Sequence, residues 1–162
     1  MRLGILSDTH NQLERTRRAV GMLTREGAEV LIHCGDFTRP DILEACSALP
    51  CYFVFGNNDA DNADELRRVG GLVGAVCLEW GGAIELGGKR IGVTHGDMRI
   101  DVNRVLDKRP DYLLSGHSHV ANDFHDGAVR RINPGALHRA EHHSVAMLDL
   151  KRNSVEFLLV EP

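Results

Sequence analysis

Lysine is almost missing from the 162-residue sequence: only Lys89, Lys108 and Lys151 stand among 19 basic residues, and the rest are arginine. Most of those arginines fall on presumptive helix surfaces, which reads as a bias of composition rather than as a set of phosphate grips. No run approaches the ~20 apolar residues that a membrane-spanning helix needs. The chain opens on "MRLGILSD", without a charged segment followed by a long apolar one, so secretion and membrane spanning are both disfavoured. The four cysteines, Cys34, Cys46, Cys51 and Cys77, include no C-x-x-C pair. They lie in or beside apolar segments, where cysteine is ordinarily a small core residue, and reduced thiols in a cytoplasm fit best. Excess positive charge is lacking too. A net charge of −4 argues against a general binder of nucleic acid or anionic membranes, so any anionic substrate must be drawn by local charge. Repeats, low-complexity tracts and linkers are absent, and the length suits one domain over residues 1–162 with a substantial core.

What the sequence does contain is an alternation of apolar runs and amphipathic segments. "RLGILS" (2–7) reads as a strand, and "NQLERTRRAVGMLTREG" (11–27) as a helix with Leu13, Val20 and Leu23 on one face. Asn11 and Glu14 are spaced as a capping box, and Gly27 is the stop. "AEVLIHCGD" (28–36) repeats the strand, "PDILEACSAL" (40–49) the helix, and "CYFVFGNND" (51–59) the strand again, followed by a short loop "ADNADELRR" (60–68). Such alternation predicts parallel strands crossed by helices. The second half is richer in strands: Gly81-Gly82, Gly87-Gly88, Asp126-Gly127 and Arg152-Asn153 read as turns between them, and only "DVNRVLDKR" (101–109) looks helical. The expected fold is α/β, with two packed mixed sheets flanked by helices.

The polar residues that end these apolar runs carry the chemistry. Asp8 and His10 follow the first, Asp36 the second, and Asn57, Asn58 and Asp59 the third; His95 with Asp97, and then His117 and His119, follow later ones. The carboxyl ends of strands in an open α/β sheet share one edge, where ligands bind. Ser7, Gly35, Gly56, Gly96, Gly116 and Ser118 stand beside these groups and let the backbone turn sharply and cations approach it. Imidazole, carboxylate and amide oxygen without thiolate suit manganese, iron, cobalt, nickel or zinc rather than a calcium cage or a cysteine-rich structural zinc site. His33, inside a strand, reads as a packed core histidine.

Taken in order, Asp8-Thr9-His10, Gly35-Asp36, Gly56-Asn57-Asn58-Asp59, His95-Gly96-Asp97 and Gly116-His117-Ser118-His119 resemble the signature of the calcineurin-like metallophosphoesterase superfamily. The short length and "INPGALHRA" (132–140) are most similar to its compact bacterial and archaeal phosphodiesterases, whose relatives include the small scaffold subunit of retromer. The resemblance implies a four-layer αββα sandwich and two divalent ions, manganese first, with zinc, iron, cobalt or nickel as alternatives. It assigns Asp8, His10, Asp36 and His119 to one ion and Asp36, Asn57, His95 and His117 to the other, with Asp36 shared. It implies hydrolysis of a small phosphodiester or nucleotide-like substrate by a hydroxide held between the ions. Asp36, Asn58 and Asp59 fall at the catalytic centre, Asp97 is expected to orient His95, and Arg39 and Arg139 are candidates for the substrate phosphate.

The sequence departs from the superfamily at Asn58, where many members carry a histidine assigned as the general acid. An amide has no proton to give, and loss of a positioned acid typically costs ~10²–10⁴ in rate. His125, His138, His142 and His143 are the substitute donors the sequence offers. Competing expectations are a phosphomonoesterase or nucleotide pyrophosphohydrolase on the same centre, a protein-binding scaffold of the same fold, and a nuclease, which the acidic charge disfavours. The sequence leaves room for a homo-oligomer.

Overall fold

In a computed structural model of the chain, which describes residues 1–161, apolar strands pair into two sheets. The first runs in the order β11-β10-β1-β2-β3-β4, from Ser154–Leu159 (β11) and Ser144–Asp149 (β10) through Arg2–Leu6 (β1), Val30–His33 (β2) and Cys51–Phe53 (β3) to Val76–Cys77 (β4). Strands β1 to β4 are mutually parallel, as the helical crossovers predict. The second sheet has the order β5-β6-β7-β9-β8, built from Gly81–Leu86, Lys89–Thr94, Tyr112–Leu114, Val129–Asn133 and Asn122–Asp126 respectively. There β6, β7 and β9 are parallel, while β5 and β8 close the edges antiparallel.

Period-two alternation decides which sheet face meets what. Leu3, Ile5, Val30 and Ile32 pack between the sheets against Ile91, Val93, Leu114 and Ile132. Leu6 and Leu31 face the other way, onto Leu13–Arg25 (α1), Pro40–Cys46 (α2) and Ala63–Val73 (α3). The remaining helix, Arg99–Leu106 (α4), lies on β5 and β6 and completes four layers.

Three expectations give way here. The Asn11–Glu14 capping box does not form: Asn11 accepts from the Gln12 amide, and Glu14 pairs with Arg17 at 2.6 Å. Gly81 and Gly82 lie inside β5, paired with Thr94 and Val93, rather than in a turn. Their smallness serves packing, since a Cβ on Gly81 would stand 3.0 Å from Val105 of α4. Gly87-Gly88, with φ of +56° and +75°, does form the hairpin turn. Finally, residues 60–68 are not a loop. They run through a 3-10 turn, Asn57–Asn62, into α3, whose Gly70 fits against the Phe53 ring.

Candidate metal centre

The parallel strands of both sheets end along one edge, and each end turns abruptly into a polar loop. The turns are sharp enough that Asp8, His10, Asp36, His117 and His119 all hold positive φ, between 43° and 67°. Side chains with a Cβ seldom adopt that region, and such strain gathers at functional sites. Backbone bonds tie the loops together: Asp8 N–H donates to Gly35 O at 3.0 Å, His10 N–H to Asp36 O at 2.9 Å and Gly116 N–H to His95 O at 2.9 Å. Close approach explains two of the glycines. A Cβ on Gly56 would lie 2.1 Å from Asp36 Oδ1, and one on Gly116 would lie 2.6 Å from Asp8 Oδ2.

The structure brings the seven expected ligands together. Asp36 Oδ2 is 3.5 Å from both His10 Nε2 and His95 Nε2, so one carboxylate oxygen faces two imidazoles delivered by different sheets. Asp8 Oδ1 lies 3.1 Å from His119 Nε2 and 3.9 Å from His95 Nε2. The donor atoms of Asp8, His10 and His119 form one group within 4.8 Å of one another, and those of Asp8, Asp36 and His95 a second. Asn57 Oδ1 is 3.1 Å from His95 Nε2, and the His117 ring centroid is 5.2 Å from that of His95. Asp8 Oδ1 and His10 Nε2 are buried without a hydrogen-bond partner. Orphaned buried polar atoms are costly, and two of them converging at a carboxylate–imidazole cluster fit a set of ligands for divalent ions.

The electrostatics agree. Burial by itself would raise the Asp36 carboxyl, but hydrogen bonding and charge from His95, with two N–H donors of Asn58, hold it well below the usual range. Burial likewise opposes charge on His95, yet Asp36 and Asp8 outweigh it and push its pKa up to about 9. His33 goes the opposite way: burial, then His95, lowers it to about 3. It accepts from Gly35 N–H at Nδ1, so its Nε2–H donates to Thr9 Oγ1 at 3.0 Å, and its ring stacks on Phe37. The expected core histidine is therefore a neutral prop beneath the Asp8 and Asp36 loops.

The other expected residues divide. Asp59 has no exposed surface, and its two oxygens accept N–H groups of Gly56, Asp36, Phe37 and Thr38 at 2.8–2.9 Å. It holds the loop that carries Asp36 and is shut off from any substrate, which corrects the expectation of a catalytic Asp59. Asp97 makes no hydrogen bond to His95; the carbonyl oxygen of Cys34 occupies that role, accepting from Nδ1 at 2.8 Å. Arg39 is held by Asp41 at the surface, outside the site. Arg139 does line the cavity of about 340 Å³ above the cluster, with His10, Asp36, Asn57, Asn58, His117, His119 and His138. His138 is the one of the four candidate donors found there, its ring centroid 4.6 Å from that of His10. A larger cavity, about 670 Å³ between α1 and the end of β11, has no histidine in its lining. Asn133 had no assigned role in the sequence; buried, it donates to Gly116 O at 2.7 Å and Ser118 Oγ at 3.0 Å and so pins the His117–His119 loop. An amide closing an apolar strand just before Pro134-Gly135 was the available signal.

The profile of the calcineurin-like phosphoesterase superfamily domain matches residues 1–153. A phosphodiesterase of Methanocaldococcus jannaschii is 27% identical over 140 residues, covering 83% of this chain and 83% of that protein. The structure of an archaeal phosphodiesterase superimposes with a TM-score of 0.88 at 23% identity, over 98% of this chain and 99% of that one. Zinc-complexed wild-type Vps29 of Entamoeba histolytica superimposes with a TM-score of 0.60 at 16% identity, over 99% and 98%. At these identities the two structures speak for the fold alone.

Proposed function

The chain belongs to the calcineurin-like phosphoesterase superfamily, and from that premise we propose that it is a metal-dependent phosphodiesterase. The observation that carries the proposal is the convergence of Asp8, Asp36, His10, His95 and His119 around the orphaned atoms Asp8 Oδ1 and His10 Nε2. The name of the Methanocaldococcus jannaschii relative supports a diester over a monoester or a pyrophosphate.

Asp8, His10, Asp36 and His119 would hold one divalent ion and Asp36, Asn57, His95 and His117 a second, with manganese the first choice for both. Bound there, such ions supply Lewis acidity toward a phosphoryl oxygen and lower the pKa of a water. The protein's own part is to aim Nε2 of His10, His95 and His119 at the Asp8 and Asp36 carboxylates and to keep Asp36 ionised. Two carboxylates against two divalent cations leave net positive charge, so an anionic diester is attracted to an acidic protein. Arg139 stands at the rim of the same cavity, where a guanidinium complements a phosphate. The four free cysteines accord with a cytoplasmic setting. No helix among the described residues is long and apolar enough to cross a membrane.

Asn58 cannot serve the site as an acid, and the surroundings of His138 disfavour its protonated form. Asn58 is an amide, and burial, followed by the influence of His10 and Arg139, lowers the His138 pKa. Esters with acidic leaving groups are therefore cleaved fastest. The test is a series of aryl and alkyl phosphodiesters with manganese, using Asp36→Ala as the control. Rates that fall steeply as leaving-group pKa rises are expected; a shallow dependence would overturn the leaving-group claim, and no metal-stimulated hydrolysis of any diester would overturn the activity.

A further inference from the structure

Asn58 has no proton to give, yet its side chain is fully committed in one direction. Its backbone N–H donates to Asp36 Oδ1 at 2.9 Å, and its side-chain Nδ2 donates to Asp36 Oδ2 at 2.7 Å. An ionised carboxylate only accepts hydrogen bonds, so the amide nitrogen, not its oxygen, must face Asp36. One residue thus grips both oxygens of the carboxylate, in the manner of a fork. The gripped Oδ2 is the same atom that stands 3.5 Å from both His10 Nε2 and His95 Nε2.

We propose that Asn58 is a positioning residue for Asp36: it fixes the plane of the carboxylate that both halves of the centre share, and it does not act on the leaving group. The proposal rests on the metal-dependent function above and deepens it. Asp36 has particular need of such a fixture. Its backbone sits at φ +63°, and Asn58 supplies a hydrogen-bond donor to each of its two carboxylate oxygens. The surrounding turn divides the work among three consecutive residues. Asp59 holds the backbone N–H of Asp36, Asn58 holds its carboxylate, and Asn57 lies 3.1 Å from His95. The "NND" that closes the apolar run is, on this account, a cradle for Asp36 and His95 rather than a turn that happens to carry one ligand.

The experiment measures metal affinity directly, by calorimetric titration of manganese into the metal-free protein, and sets it beside the leaving-group series. Asn58→Leu keeps the branched shape and the number of side-chain heavy atoms and removes the side-chain donor. Asn58→His returns a ring N–H at the γ-branch position of the amide nitrogen. Asn58 is exposed, so neither substitution disturbs the core, and far-UV circular dichroism checks this. Partners that orient a ligand typically contribute 10–100-fold to metal affinity. Asn58→Leu should bind manganese about 10–100-fold more weakly and keep the leaving-group dependence of the unsubstituted protein, and Asn58→His should recover most of the lost affinity. Unaltered affinity in Asn58→Leu overturns the proposal, as does a loss that Asn58→His fails to restore. A changed leaving-group dependence in Asn58→Leu overturns it in favour of a direct role on substrate. If the unsubstituted protein takes up no manganese, the metal-dependent function itself falls, an outcome distinct from any difference between variants.

Discussion

The imidazole of His95 is oriented by the backbone of Cys34: Nδ1 donates to that carbonyl oxygen at 2.8 Å, which turns Nε2 toward Asp36 Oδ2 at 3.5 Å. A carbonyl only accepts, so Nδ1 must carry the proton, and Nε2 holds the lone pair whenever the ring is neutral. The strand-end geometry does what a carboxylate does in many metal sites.

Asp97 is consequently dispensable for orienting the ring. Asp97→Ala should leave manganese affinity within a few-fold of the original, whereas His95→Ala should exceed the ~10–100-fold loss typical of removing an outer partner. Calorimetry on the two variants checks the contrast.

Gly56 is required for space rather than for its backbone angles, since its φ of −103° is ordinary. A methyl group there would meet Asp36 Oδ1 at 2.1 Å. Gly56→Ala should therefore drive Asp36 out of register and weaken metal binding by about as much as losing an outer partner does, 10–100-fold. Manganese titration of a folded Gly56→Ala protein would read this out.

Asp59→Asn should destabilise the protein before it affects chemistry. The amide nitrogen would take the place of an oxygen that now accepts from Gly56 and Asp36, and leaving a buried donor unsatisfied costs about 1–3 kcal/mol each. Urea unfolding of the metal-free protein should show a loss of about 2–6 kcal/mol on that basis.

His33 makes the fold sensitive to acid. Unfolded histidine takes up a proton near pH 6.5, while burial keeps His33 neutral in the fold down to about pH 3. The unfolded chain thus binds more protons in that interval, and stability falls as pH drops. The contribution is fully present above pH 6.5 and is lost at about 1.4 kcal/mol per unit below it. Between pH 6.5 and 4.5, before most carboxylates titrate, His33→Gln should show a flatter stability profile by urea unfolding.

The positions of the candidate ligands were legible because each closes an apolar run, and a buried strand has no use for a histidine or carboxylate at its end. What was not legible has physical reasons. The acceptor for His95 is a backbone carbonyl, and every residue has one, so nothing in Cys34 marks it. Asp97 was the visible carboxylate, and it was the wrong partner. Helix α3 was hidden by Gly70-Gly71, which look like a break until the Phe53 ring is seen resting on Gly70. Asp59 looked catalytic by adjacency, whereas the tight 3-10 turn swings it under the loop. His138 stood among four candidate donors, and nothing in the sequence set it apart from His125, His142 and His143; its packing beside the His10 ring does.

The two sheets contribute to the centre unequally but jointly. Asp8, His10, Asp36 and Asn57 follow strands of the first, and His95, His117 and His119 follow strands of the second. The candidate ligands therefore straddle a seam that is otherwise fastened by the apolar layer between the sheets and by polar contacts such as His95 Nδ1 to Cys34 O and Tyr112 O–H to Asn153 Oδ1. Divalent ions seated there would act as rivets through that seam, and because binding to the docked form alone favours it, loading would add to the stability of the sandwich. Manganese should therefore raise the urea midpoint above that of the metal-free protein.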